Sequence, residues 1–171
     1  MSKLQLKKML QSMDKSEVIL LVLEMYDTKK EIKEYLDYIT NPNEKGQFEK
    51  AKQTIENEYF PEKGLPKERL SVAKKAISDF SKLKPSPELE AELMIFLVEC
   101  GCQFTNEYGD INEAFYISME KNFDRALKFI EKHGLLEKFR PNAERCLEWS
   151  SDCGWGFADG IADIFYEYYQ E

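Results

Sequence analysis

Apolar residues recur at helical intervals almost from end to end of this chain, and no stretch keeps up the strict alternation of a half-buried strand. That periodicity predicts an all-α fold. Asp14, followed three residues later by Glu17, reads as a capping box opening an apolar run over residues 18–23, which Met25 and Tyr26 continue. A helix so apolar on nearly all sides is expected at the centre of the fold. Ile32, Tyr35, Leu36 and Ile39 form the next stripe, up to Asn41-Pro42, and Phe48, Ala51, Ile55 and Tyr59 mark another. Pro61, Gly64 and Pro66 then break the pattern.

Leu70, Ala73, Ile77 and Phe80 define a helix that ends before Pro85, and Ser86-Pro87 offers an N-cap with proline at the first helical position. The helix that follows carries Leu89, Leu93, Phe96, Leu97, Cys100 and Phe104, with Met94, Ile95 and Val98 besides, so it too is expected to be central. Asp110 with Glu113 reads as a second capping pair. Phe115, Met119, Phe123, Ala126 and Ile130 form the buried face after it, and Gly134 the C-cap. Residues 135–150 read as helix, opened or interrupted at Pro141, and a last helix follows Gly154-Trp155-Gly156. The sum is roughly eight helices in one domain over residues 1–171, a bundle or an array of helical hairpins with short connections.

Charge narrows the function classes. The chain carries a net charge of −8, yet residues 62–84 hold seven basic and three acidic side chains, while residues 85–171 hold seven and eighteen. So acidic a chain is a poor nonspecific ligand for duplex nucleic acid. No secretory signal is visible, and the uninterrupted apolar run of residues 18–23, which no other run exceeds, is far short of the ~20 residues needed to span a bilayer. With four cysteines in a chain of this length, a disulfide scaffold is not expected, and a cytoplasmic protein without membrane contact is.

Three stretches carry a resemblance: residues 60–80 (FPEKGLPKERLSVAKKAISDF), 102–116 (CQFTNEYGDINEAFY) and 151–169 (SDCGWGFADGIADIFYEYY). With the overall length, they resemble an uncharacterised bacterial family of small all-helical proteins, a domain of unknown function. The resemblance implies a compact helical domain and brings no catalytic residue with it.

The residues themselves offer three surfaces. At about 100° per residue, Ser71, Lys75, Ser78 and Lys82 share one strip of a helix, with Lys74 beside it and Arg69 just before it. Hydroxyls and ammonium groups in one patch suit phosphate or carboxylate recognition. Asn106, Tyr108 and Asp110 lie in a polar turn, the kind of segment that carries function more often than a core does. Trp155, with Asp159 and Tyr166 of the last helix, is the third candidate surface for a partner or ligand, although the apolar arc that takes in the flank of Trp155 leaves packing against the core as its first expectation. Cys100, Cys102, Cys146 and Cys153 lack zinc-type spacing, and His133 is the only histidine, suited to a helix end. Neither a metal site nor a cofactor is expected. The leading expectation is therefore a non-enzymatic helical module binding a protein, a second copy or a small anionic ligand. An enzyme acting on a phosphorylated or nucleotide substrate, with Lys74 or Lys75 on phosphate and Asp110 or Asp159 placing a metal, is the alternative. RNA binding, with Phe80 or Trp155 as a stacking surface, ranks third.

Overall fold

A computed structural model of the chain describes residues 1–169, and among them there are nine α-helices and no strand. The chain divides into two compact units, Met1–Asn43 and Glu44–Glu171.

The first unit holds α1 (Lys3–Ser12), α2 (Lys15–Thr28) and α3 (Lys30–Thr40). Helix α1 was not legible in the apolar pattern. It starts at a capping box in which Gln5 N donates to Ser2 Oγ (3.3 Å) and Ser2 N donates to Gln5 Oε1 (2.7 Å). The predicted box before α2 is present: Ser16 N and Glu17 N donate to the Asp14 carboxylate at 2.7 and 2.9 Å, and Asp14 N donates to Glu17 at 2.8 Å. The expected central position of α2 is not. Val18, Leu21, Val22, Met25 and Tyr26 are half-buried, and α2 packs on α3, whereas Ile19, Leu20 and Leu23 point away into solvent. An apolar run predicts burial only if neighbours surround it, and α3 covers one side.

The second unit comprises α4 (Glu44–Tyr59), α5 (Leu70–Lys82), α6 (Pro87–Tyr108), α7 (Glu113–Lys132), α8 (Leu136–Ser150) and α9 (Phe157–Tyr168). Here the expectation of a central helix holds. Helix α6 packs against α4, α5, α7 and α8, and Leu93, Ile95, Leu97, Val98 and Cys102 are all fully buried. Ile55 and Tyr59 of α4, Met119, Phe123, Leu127 and Ile130 of α7, and Phe157 and Ile161 of α9 complete the core. Each such large side chain contributes about 1.5–3 kcal/mol on burial.

Helix ends follow local chemistry. Gly134 (φ +69°) closes α7 in a Schellman motif: Leu135 N reaches Ile130 O (3.0 Å) and Gly134 N reaches Glu131 O (2.9 Å). Ser86 stands at the N-cap of α6 with Pro87 at the first turn, but its side chain makes no capping bond, and its N–H donates to Glu44 instead. Two expectations are corrected. The cap of α7 is Asn112, which accepts from Phe115 N (2.9 Å), because Asp110 is engaged elsewhere. Pro141 neither opens nor interrupts α8; it sits inside a continuous helix and forgoes only the bond to the Glu137 carbonyl.

Candidate anion-binding cleft and the Trp155 turn

Helix α5 buries Ala73 and Phe80 and turns its polar strip toward a concavity shared with α6 and α7. Ser71, Lys74, Lys75, Ser78 and Lys82 line this cleft of about 460 Å³ from one side, and Glu90, Asn122 and Arg125 line it from the other, over Ile77, Met94 and Leu97. The strip read from the sequence is thus a real wall, but part of its charge is compensated. Asp79 binds Lys75 Nζ at 2.6 Å and Lys82 Nζ at 2.8 Å, and these two ammonium groups hold its carboxyl below the ordinary range. Ser81 Oγ donates to Glu90 at 2.6 Å. Lys74 and Arg125 make no ion pair with any carboxylate of the described residues. Arg125 was missed because it comes from the exposed flank of another helix, and periodicity carries no tertiary register.

Arg69 belongs to a different structure. Its guanidinium and backbone N–H clasp the carboxylate of Glu58 at the end of α4, so it is a loop anchor rather than part of the strip.

The Asn106 to Asp110 turn and the Trp155 turn come together, held by a polar network. Tyr116 Oη donates to Asp110 (2.8 Å), lies 2.8 Å from Thr105 Oγ1 and accepts from Ile111 N (3.2 Å). Gly154 N donates to the same Asp110 carboxylate at 3.2 Å. Burial first, and then the bond to Asp110, push the Tyr116 phenol above its ordinary pKa. Trp155, expected in the core, is instead 72% exposed with a left-handed backbone (φ +58°), displayed on the turn rather than packed under it. Tyr108 is exposed too, its ring leaning on Phe104 at 4.8 Å between centroids. Asn106 is exposed beside it, and on α9 Asp159 and Tyr166 are exposed while the neighbouring Tyr169 is buried.

The cleft and the turn draw on different stretches of α6. The cleft meets α6 at Glu90, Met94 and Leu97, and the turn leaves α6 after Tyr108. Eleven residues of helix separate Leu97 from Tyr108, about 16 Å along the axis. Phe80 is buried and offers no stacking face.

A second polar cavity of about 270 Å³ was not anticipated. Glu99, buried on α6, accepts from Arg145 Nε (2.8 Å) and Asn142 Nδ2 (3.2 Å) of α8. Loss of solvent raises its pKa, outweighing the opposing pull of Arg145. Beside it Lys52 donates to Glu92 (3.2 Å) and lies 4.8 Å from the Phe96 ring centroid. A lone carboxylate inside an otherwise apolar stretch of α6 was the available signal. Cys100, Cys102 and Cys146 are buried and Cys153 half-buried, and burial pushes the Cys100 and Cys146 thiols well above their ordinary range, away from reactivity. His133 caps α7 with its ring against Phe129. Among the described residues no group of three or more His, Cys, Asp or Glu is placed to hold a metal ion, and no helix is long and apolar enough to cross a membrane.

Neither the curated proteins nor the solved structures contain a match to this chain. One family does match, over residues 1–165, and so takes in both units and both surfaces. The chain belongs to DUF6155, a family of unknown function.

Proposed function

We propose that this protein is a non-enzymatic interaction module that receives an oxyanion-bearing partner, phosphoryl or carboxylate, in the cleft between α5, α6 and α7. The observation that carries the reading is the convergence of four cations, Lys74, Lys75, Lys82 and Arg125, against only two carboxylates, Asp79 and Glu90, in a chain whose net charge is −8. Asp79 fixes two of the lysines in place, and the uncompensated pair, Lys74 and Arg125, comes from opposite walls. Ser71 and Ser78 add hydroxyls along the same wall, and cations with hydroxyls are the usual donors to oxyanions. The four cysteines are unpaired, in keeping with a reducing, cytoplasmic setting.

The test is a titration of the full chain, followed by amide NMR, with inorganic phosphate and separately with a phosphoserine peptide. Resonances of α5 and α7 are expected to shift, less so at high salt. Lys74→Glu combined with Arg125→Glu is expected to weaken binding at least about tenfold, as loss of a charge-assisted hydrogen bond does. Shifts confined to other helices, or unchanged affinity in the double variant, would overturn the reading. A response to the peptide alone would assign the cleft to a macromolecular partner rather than a free ion.

A further inference from the structure

We infer that the unit Met1–Asn43 is a self-association surface whose occupant is the same unit of a second copy of this chain. None of its residues is buried, although it contains Leu4, Leu6, Met9, Ile19, Leu20 and Leu23, all exposed. Leu4 and Leu20 are 65% and 67% exposed. A unit of this size cannot bury enough apolar surface to hold itself together, and chains near 40 residues without disulfides or metals usually rely on association.

Charge identifies the occupant. Residues 1–43 carry seven lysines and seven carboxylates, so the net charge of −8 lies in the remainder of the chain. Two copies meeting through this unit therefore face no net charge repulsion between the meeting surfaces.

Within the unit, moreover, the signs are segregated. Helix α1 carries Lys3, Lys7 and Lys8 and no acidic residue, and Lys3 and Lys7 line an apolar groove floored by Leu4, Leu6 and Leu10. At about 100° per residue the outward face of α2 carries Leu20 and Leu23 with Glu24 and Asp27 among them. One surface is apolar and basic, the other apolar and acidic. A two-fold pair lays each on its complement in the other copy, twice over, which is the property of an isologous interface. An anionic lipid surface or an acidic peptide would satisfy the lysines of α1 and leave Leu20 and Leu23, with their carboxylates, uncovered.

The experiment is sedimentation equilibrium on the full chain over roughly a hundredfold range of concentration. A monomer–dimer equilibrium is expected. Lys3→Glu with Lys7→Glu, or Glu24→Lys with Asp27→Lys, is expected to weaken it at least about tenfold, and the chain carrying all four substitutions to recover it. All four positions are exposed, so the helices should be retained, which circular dichroism checks. A chain that stays monomeric throughout, or variants that associate as before, would overturn the inference. So would a monomer in which residues 1–43 are protected from hydrogen exchange, and a monomer that binds phosphatidylglycerol vesicles through Lys3 and Lys7. None of these outcomes touches the cleft, so this inference and the proposed function fail separately.

Discussion

Glu58 receives three donors from a single residue: Arg69 N at 3.1 Å and Nε at 3.0 Å on one oxygen, and Nη2 at 2.7 Å on the other. Its own carbonyl accepts from Lys67 N and Glu68 N at 2.9 and 3.0 Å, so one buried glutamate ties down the loop between α4 and α5, including Glu68 at φ +51°. The Arg69 hydrogen bonds pull the Glu58 pKa down. Because the native value lies below the unfolded one of about 4.3, the stabilisation is in place above that pH and is lost as the pH falls through the native pKa. Glu58→Gln is therefore expected to destabilise the protein by about 2 kcal/mol at neutral pH, a difference that closes in acid, as urea unfolding at several pH values would show. Glu99 has the opposite slope: its pKa is raised, so its charged form begins to oppose folding as the pH rises through the unfolded value. Of the six strip residues singled out in the sequence, Lys74, Lys75, Lys82 and the two serines line the cleft, and Arg69 does not because a carboxylate eleven residues earlier captures it. Sequence gives the sign of a charge, not its neighbour.

At the scale of the element, the packing of α6 on α7 depends on the absence of a side chain. A Cβ at Gly101 would lie 2.4 Å from Met119 Sδ, and Met119 is fully buried. Alanine improves intrinsic helix propensity by about 1 kcal/mol over glycine, but overpacking of a filled core costs about 1–3 kcal/mol. Gly101→Ala is thus expected to lower the unfolding midpoint, and to do so less, or not at all, in a Met119→Ala background, where the obstruction is gone. Such coupling between the two sites would identify steric crowding as the cause. Most elements were legible because capping and periodicity are local: the Asp14 box, the Gly134 terminus and the stripes of α4, α5 and α7 all stand where their residues put them. What failed depended on surroundings. Helix α2 has the composition of a core helix without the neighbours, Trp155 has the side chain of a core residue on an exposed turn, and Asp110 was drawn from capping by Tyr116 and Gly154.

At the scale of the molecule, nearly all helix packing in the second unit joins elements one or two places apart in the chain. Helices α4, α5 and α6 form one group; α6, α7 and α8 a second; α7, α8 and α9 a third. Successive groups share members, so the unit is an overlapping series of three-helix clusters rather than a bundle closed by its first and last helices. Helix α6 packs on four neighbours, so none of its residues from 89 to 105 is exposed, while α5 and α9 each keep a polar side. That wiring has a kinetic consequence. No long loop must close before a contact is made, so the entropic barrier to finding the fold is small, and chains of such low contact order fold in microseconds to milliseconds. Stopped-flow refolding of Glu44–Glu171 within the full chain is expected to finish near that limit, and truncations of large α6 side chains to slow it more than equally destabilising ones in α9.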